Sequence, residues 1–322
     1  MASKKGFRRP SFSPLPLNGC IFRTSSSNME NITPNRRKVK QRQSYTPQKV
    51  ITKSPKISYL TDILDSLYQR QLPPDGLSDL IQSGSKPSLR YRVVAWIARL
   101  CKHFSLRRSV MYSTVMIIDR SLHQISIKKE EMQLLGGAAF WLSVKFHCPK
   151  SVKLSQIVAE IGNANSKDDL LSFEIKILEA LNYNINIPNV GDFINLLEEN
   201  LSCDRPLLML LWTLSDILLQ FAGFLRFRPS TIATAVLIYS LNCLNRTFQN
   251  EIVTKLMTTE EPEVLFCCIE EIHNVVTDLL NNRKKSIIEQ TSNGHYTQVQ
   301  KWLTRSKLPE VESFLMLMPH NE

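Results

Sequence analysis

Apolar residues recur at helical spacing from residue 57 of this 322-residue chain onward. The first stripe, with intervals of three and four residues, consists of Leu60, Ile63, Leu64 and Leu67. This spacing gives a helix one apolar face, and the sequence LPPDG at 72–76 ends that helix. The same kind of pattern predicts helices over about 89–103 and about 107–123.

The segment from about 129 to 147 differs, because apolar or small residues occupy every side of the predicted helix. Its middle holds four small residues, Gly136, Gly137, Ala138 and Ala139. A helix without a polar face must be buried among other helices, and small residues let those neighbours come close. We therefore expect it to form the centre of a bundle that also contains helices near 152–160 and 167–182.

A second set of predicted helices begins after Pro188, at 188–282. Its third helix contains Ala233 and Ala235 and repeats the small-residue centre of the first set about 96 residues later. An internal repeat made only of helices predicts an all-α protein with two tandem five-helix domains. We place the first domain, with the helix before it, at 57–187, and expect the more polar residues 283–322 to form a loose C-terminal extension.

The positive charge of the chain is confined to its first 56 residues. That segment holds 13 Lys and Arg and one acid, whereas residues 57–322 hold 27 basic and 28 acidic residues. An electrically even body is poorly suited to neutralising phosphates, so nucleic-acid binding is not expected. Because residues 1–56 are rich in Ser and Pro and have few large apolar side chains, we expect a disordered basic tail.

Two kinds of short motif lie in this tail. The basic cluster NRRKVKQR at 35–42 is interpreted either as a nuclear import signal or as a solvated charge run, and we expect a location in the nucleus, the cytoplasm or both. Thr33 and Thr46 are each followed by proline and, three positions on, by a basic residue. They are therefore candidate phosphorylation sites for a proline-directed kinase.

No motif for catalysis, metal binding or a cofactor is present. The six histidines form no i, i+4 pair, and neither a phosphate-binding glycine loop nor a G-x-S-x-G sequence occurs. The seven cysteines lack a C-x-x-C spacing, which indicates reduced thiols. No run of 18 uncharged apolar residues predicts a membrane span. We therefore expect neither an enzyme nor a protein with a small-molecule substrate.

Five sequence blocks resemble the cyclin box. They are LR-x5-W at 89–96, IDRxL at 118–122, MQLLGGAA at 132–139, SVKF at 143–146 and FEIKILxxL at 173–181. The blocks fall at the family's spacing without an insertion. The second set of helices resembles the C-terminal cyclin fold, and YLTDI at 59–63 is similar to the helix that precedes the box in A-, B- and E-type cyclins. The resemblance covers about residues 57–282.

The resemblance implies roles for individual residues. Arg90 and Asp119 match the family's buried ion pair between the first two helices of the box. Lys145 and Glu174 match the lysine and glutamate that hold the kinase near its regulatory C-helix in cyclins. The apolar contacts around that pair are matched by Leu142, Phe146 and Tyr183.

The chain departs from the family at two places. Leu89, Val93, Trp96 and Gln133 match the patch on which many cyclins dock Arg-x-Leu substrates. In that patch, however, Arg92 replaces an apolar residue and Arg99 replaces an acid, so the arginine of such a motif would be repelled. His147 and Cys148 stand where the family usually has two acids, which affects the choice of kinase or the affinity for it.

The resulting hypothesis is a divergent cyclin that binds and activates a cyclin-dependent kinase in cell-cycle control. One alternative is a degenerate cyclin that acts as a scaffold without activating its partner. Another is a cyclin-fold transcription factor that binds nucleic acid.

Overall fold

Two helices with small residues at their middles organise the computed structural model of the chain. The structure describes residues 60–73, 86–149, 152–162, 166–200, 203–246, 251–281 and 296–304. Within these ranges all regular secondary structure is helical, which confirms the predicted all-α class and the two five-helix repeats. The predicted disordered tail lies outside the described residues.

The first repeat follows a helix, α1, that spans Leu60–Arg70. Its five helices are α2 (Lys86–His103), α3 (Arg108–Gln124), α4 (Met132–His147), α5 (Leu154–Ile161) and α6 (Lys167–Ala180). Helix α4 is central, since it packs against each of the other four. At Gly137 a Cβ would lie 2.8 Å from Cγ1 of Ile161, so the close approach of α5 to α4 requires glycine at this position.

The second repeat has the same plan. Its helices are α7 (Val190–Asn200), α8 (Arg205–Leu218), α9 (Pro229–Cys243), α10 (Glu251–Thr259) and α11 (Pro262–Asn281). Helix α9 takes the central place, and its Ala233 and Ala235 are fully buried. As expected from the sequence, the small-residue helix is the third of each repeat and touches the other four.

The two repeats meet mainly where α3 faces α7 and α8. The hydroxyl of Tyr112 donates a 2.8 Å hydrogen bond to Asp216, and the Arg108 guanidinium lies 3.4 Å from the same carboxylate. At Gly191 on α7 a Cβ would lie 3.0 Å from the Tyr112 ring, so this glycine allows the helices to approach. Polar and steric matching at this interface thus joins the repeats.

Helix α1 contacts the second repeat, although it precedes the first. The Lys255 ammonium lies 2.6 Å from the Asp65 carboxylate. The Gln71 amide, just after α1, accepts a 3.1 Å hydrogen bond from the backbone N–H of Ser230, at the start of α9. The N–H groups in the first turn of a helix have no acceptor within the helix. The Gln71 side chain provides an acceptor for one of them, the N–H of Ser230. Helix α1 therefore ties the start of the folded body to its second half.

A twelfth helix, α12 (Tyr296–Leu303), lies in the segment predicted to be a loose extension. Its Val299 and Leu303 are buried in the core. The prediction of a loose extension is therefore wrong for these eight residues. Val299, Trp302 and Leu303 follow helical spacing, but a pattern over only eight residues was too short to indicate a helix without its packing partner.

Candidate functional site

Lys145 and Glu174 form an ion pair between the end of α4 and the middle of α6. The Lys145 side chain is partly exposed, whereas Glu174 is buried. The Lys145 ammonium also lies 5.4 Å from the centre of the Trp141 ring, one turn earlier. From Leu134 to Val144 helix α4 has no charged side chain and is mostly buried, and Lys145 is exposed near its end, which places the charge at the surface of the first repeat.

Three large apolar side chains near this pair in sequence are exposed to solvent. Phe146 is 51% exposed, Ile175 is 54% exposed and Tyr183 is 66% exposed. Each directly follows, or lies within nine residues of, one member of the ion pair. An exposed apolar group around a partly desolvated charge pair is typical of a protein-binding surface. We call Lys145, Glu174, Phe146, Ile175 and Tyr183 the α4–α6 surface.

Ile175 was missed by the sequence analysis. Its signal lay in the spacing, because a residue two positions from both Phe173 and Ile177 lies on the opposite side of an α-helix. In the structure Phe173 and Ile177 are buried, whereas Ile175 points outward with the exposed Ser172 and Glu179.

Tyr183 owes its exposure to the turn after α6. Asn182 and Tyr183 have φ angles of 49° and 58°, in the left-handed region. The N–H of Tyr183 donates a 2.8 Å hydrogen bond to the carbonyl of Leu178, which closes the end of the helix. A left-handed conformation is uncommon for an aromatic residue, and with this backbone the Tyr183 side chain is 66% exposed.

Leu142 does not belong to the α4–α6 surface. It is only 3% exposed and lies in the hydrophobic core. It shares a helical stripe with Lys145 and Phe146 but lies one turn deeper in the bundle. Leu142 therefore supports the surface from below, and its implied role as a direct partner contact is corrected.

His147 and Cys148, at the positions where the family has acids, are half-buried. The His147 Nε2 atom lies 2.7 Å from the Ser113 hydroxyl. Burial lowers the pKa of His147 below its ordinary value, although the nearby Asp192 carboxylate opposes this shift. His147 is therefore neutral at neutral pH, and the edge of the surface carries no negative charge there.

The residues of the docking patch on α2 are brought together with α4. A Cβ at Gly136 would lie 2.8 Å from Cγ1 of Val93 and 3.1 Å from the Trp96 ring, so both side chains lie directly on α4. Leu89 and Trp96 remain partly exposed, and Gln133, one turn before Gly136, is exposed. Arg92 and Arg99 are exposed on the same helix.

Arg90 and Asp119 form a buried bidentate ion pair with distances of 2.6 and 2.9 Å. The pair joins α2 to α3 in the core. Arg90 also donates hydrogen bonds of 3.1 and 3.2 Å to the carbonyls of Leu219 and Gln220, after α8. The sequence analysis did not anticipate these contacts with Leu219 and Gln220, because the two residues lie 129 and 130 positions after Arg90 in the chain.

The remaining sequence-based predictions concern the basic tail, metal binding and membrane spans. Thr33, Thr46 and the basic cluster at 35–42 lie outside the described residues. Across the described ranges, no three His, Cys, Asp or Glu side chains are grouped in a way that would hold a metal ion. None of the helices that the structure describes has the length and apolar character needed to cross a membrane.

Comparisons with known proteins agree with this architecture. The family model for the cyclin N-terminal domain matches residues 61–186, and that for the cyclin C-terminal domain matches residues 188–304. Among solved structures, a viral cyclin from herpesvirus saimiri matches 74% of this chain and 99% of its own, with 17% identity and a TM-score of 0.51. The yeast RNA Pol II CTD kinase CTDK-1 complex contains a chain that matches 78% of this chain and 91% of its own, with 14% identity and a TM-score of 0.50. At sequence identities this low, the structural similarity shows that the chains share a fold.

Curated relatives include mitotic cyclins. The G2/mitotic-specific cyclin-B3 of Mus musculus is 25% identical over 76% of this chain and 17% of its own length. The cyclin-B3 of Gallus gallus is 27% identical over 58% of this chain and 47% of its own. The G2/mitotic-specific cyclin-A of Patella vulgata is 25% identical over 66% of this chain and 50% of its own. The matched region spans half or less of each of these relatives. With both cyclin domain models matched in tandem over a structure of two five-helix repeats, this chain belongs to the cyclin family.

Proposed function

We propose that this chain is the regulatory subunit of a cyclin-dependent serine/threonine protein kinase, which it binds and activates in cell-cycle control. The observation that carries this proposal is the α4–α6 surface, where the Lys145–Glu174 pair is accompanied by three exposed large apolar side chains close to it in sequence. The names of the relatives, which are G2/mitotic-specific cyclins, support the cell-cycle setting.

The α4–α6 surface suits a helical partner. The Lys145 ammonium can donate to a backbone carbonyl at the end of a partner helix, and Glu174 can accept from a backbone N–H. Phe146, Ile175 and Tyr183 would exclude water from these bonds and so strengthen them. Because Lys145 and Glu174 are already paired, the partner meets a charge arrangement that is largely organised before binding.

Activation follows from differential binding. The chain contributes no catalytic group to phosphoryl transfer in this proposal. It stabilises the kinase conformation whose C-helix and activation segment are in place, and thereby shifts the population toward that state. The size of the effect equals the difference between its affinities for the two kinase states.

The test uses the charge-swapped double variant Lys145→Glu, Glu174→Lys. This variant keeps an intramolecular ion pair but reverses its polarity toward a partner, so loss of binding would not result from unfolding. The control is Arg226→Glu, Glu271→Arg, which reverses a more exposed ion pair in the second repeat, 3.1 Å apart. Each protein is titrated against purified cyclin-dependent kinases by calorimetry, and each mixture is assayed on a Ser-Pro-x-Lys peptide.

The proposal predicts that wild type and control bind and activate at least one kinase, and that the Lys145, Glu174 variant binds it at least tenfold more weakly. Binding without any rise in activity would overturn activation and support a scaffold instead. Equal binding by all three proteins would remove the α4–α6 surface from the interaction.

A further inference from the structure

A cavity of about 130 Å³ lies between the two repeats. Its walls come from the residues just after α1, from α2 and α3, from the link between the repeats, and from the end of α8 through the start of α9. The walls are mostly apolar and include the buried side chains of Val115, Ile187, Leu218, Phe224 and Ile232. We call this space the junction cavity. It is lined neither by the α4–α6 surface nor by the docking patch on α2.

The buried charged groups in the wall of the junction cavity are already paired. Arg90 and Asp119 form their bidentate ion pair there. An apolar wall with few free polar groups offers little to water, and an apolar cavity of about 150 Å³ stays dry and binds a molecule such as benzene. The junction cavity therefore suits an apolar group with the size of one aromatic ring.

The opening of the junction cavity is marked by lining residues that solvent reaches. Leu72 is 38% exposed, Pro73 is exposed, and Met116, Arg120 and Leu225 are partly exposed. Among the described residues that line the cavity, Arg120 is the only charged one with access to solvent. A ligand that enters the cavity therefore meets a single cation at its edge.

Arg120 has no counter-ion in the part of the chain that the structure describes. It lies on α3 and donates a hydrogen bond to the carbonyl of Asn184, after α6. No carboxylate of a described residue lies within 4.0 Å of its guanidinium, and the neighbouring Asp119 is bound to Arg90. Burial lowers the pKa of Arg120, but an arginine stays charged at neutral pH. An anion would therefore stabilise this partly desolvated charge.

We propose that the junction cavity binds a small organic acid, with an apolar group of about one ring inside the cavity and a carboxylate on the Arg120 guanidinium. The planar guanidinium offers several donors, and carboxylates are its preferred partners. A docked protein segment buries several anchor side chains, which a cavity of this size cannot hold. This inference goes beyond the proposed kinase binding and does not depend on it.

Occupation of the junction cavity would stabilise the contact between the repeats. Arg90 in its wall also donates to the carbonyls of Leu219 and Gln220, after α8. The cavity has walls from both repeats, so it exists only when they are packed together. A ligand that binds only the folded chain stabilises it by mass action. The thermal unfolding midpoint should therefore rise with the concentration of the acid.

The test follows binding to the full chain by NMR, with isotopic labels at the methionine methyl groups. Met116 lines the junction cavity, whereas Met209 lines a different pocket beside α12. Each signal is assigned by substitution of that methionine by leucine. The ligands are phenylacetate, the neutral phenylacetamide and the cationic phenethylamine, which share the ring and differ in charge. Acetate measures the attraction of any carboxylate to residues 1–56, which carry 13 basic residues and one acid.

The protein variants are Arg120→Gln, Arg120→Lys and, as a control, Arg107→Gln. Arg107 is exposed and lies just before α3, about 20 Å along the helix axis from Arg120. We expect phenylacetate to shift the Met116 signal and not the Met209 signal. Arg120→Gln should weaken phenylacetate at least tenfold, because a charge-assisted hydrogen bond is lost, and change phenylacetamide by less than twofold. Arg120→Lys should retain most of the affinity, and Arg107→Gln all of it.

The comparison of the three ligands leaves the protein unchanged, so it tests the proposal even if an Arg120 variant fails to fold. Equal affinity for phenylacetate and phenethylamine would overturn the proposal, as would a Met116 signal that none of the ligands moves. An equal loss of phenylacetate affinity in Arg120→Gln and Arg107→Gln would also overturn it. If the peptide Gly-Gly-Phe, with its free terminal carboxylate, shifts the Met116 signal and phenylacetate does not, the cavity belongs to the chain terminus of a partner protein instead.

Discussion

Arg90 and Gln220, 130 positions apart in sequence, are joined by a 3.2 Å hydrogen bond from the guanidinium to the backbone carbonyl. The same guanidinium holds Asp119 and the carbonyl of Leu219. One buried side chain therefore connects the first two helices of the first repeat to the end of α8 in the second. In this molecule the Arg90–Asp119 pair stabilises both repeats together.

We predict that Arg90→Met lowers the free energy of unfolding by about 3–5 kcal/mol. The variant would leave the buried Asp119 charge without its partner and two carbonyls without a donor. Urea denaturation measures this loss. Arg99→Met, an exposed arginine on the same helix, serves as the control and should change stability by less than about 0.5 kcal/mol. A loss below about 1 kcal/mol for Arg90→Met would show that water replaces the buried contacts.

We predict that Gln71→Ala weakens the attachment of α1 to the second repeat. The change removes the hydrogen bonds of 3.0 and 3.1 Å that Gln71 makes with Ser230 and leaves an N–H of the first turn of α9 unpaired. Loss of such a capping contact costs about 0.5–2 kcal/mol. Hydrogen exchange at the start of α9 should quicken, with the exposed Gln69→Ala as a control that leaves it unchanged. Unaltered exchange in both variants would mean that α1 does not cap α9.

We predict that Gly137→Ala destabilises the first repeat by overpacking it. The added methyl group would collide with Cδ1 and Cγ1 of Ile161, the latter at 2.8 Å. Overpacking of this kind costs about 1–3 kcal/mol. Ile161→Val removes the Cδ1 atom, so the double variant should be more stable than the sum of the single effects implies. Thermal unfolding of all four proteins completes the cycle, and strictly additive losses would count against a direct collision.

We predict that Asp216 makes stability depend on pH between about 4 and 6. Burial raises the pKa of its carboxyl from 3.8 to about 6, although Arg108 and the Tyr112 hydroxyl oppose this shift. The folded chain then binds a proton more readily than the unfolded chain. The contribution of Asp216 to the free energy of unfolding therefore falls as pH rises from about 4 to about 6, and it is constant above that range.

Asp216→Asn removes this contribution. The variant should gain stability relative to the wild type as pH rises through that window, by up to about 3 kcal/mol. Urea denaturation of both proteins at about pH 4.5, 5.5 and 7 measures the difference in their free energies of unfolding within and above this window. Asp278→Asn, at an exposed position on α11, is the control. A constant difference between Asp216→Asn and the wild type at all three values would contradict the prediction.

The sequence predicted the helices well because the spacing of apolar residues within each helix shows which of its faces is buried. The stripe of α1 and the apolar circumference of α4 were visible from neighbouring residues alone. Small residues near 136 and 233 also identified the central helices, since only small side chains permit several helices to approach closely. The resemblance to cyclins located Lys145 and Glu174, which the structure brings into contact.

The same patterns did not show how deep a residue lies along a helix axis. Leu142 and Phe146 share a stripe and lie one turn apart, yet Leu142 is 3% exposed and Phe146 is 51% exposed. Ile175 differs, because it lies on the opposite side of α6 from the buried Phe173 and Ile177, so its exposure follows from direction and not from depth. Spacing gives the direction of a side chain around the axis, whereas its depth depends on where other elements end.

The amino-acid sequence by itself determined the class of the fold, the repeat of two helical bundles and the separation of a basic tail from an even body. These properties depend on local periodicity and composition. Only the tertiary structure decided that Arg90 reaches the second repeat and that α1 is tied to α9. Such relationships join residues far apart in the chain, and they exist only once packing has brought their helices to the same place.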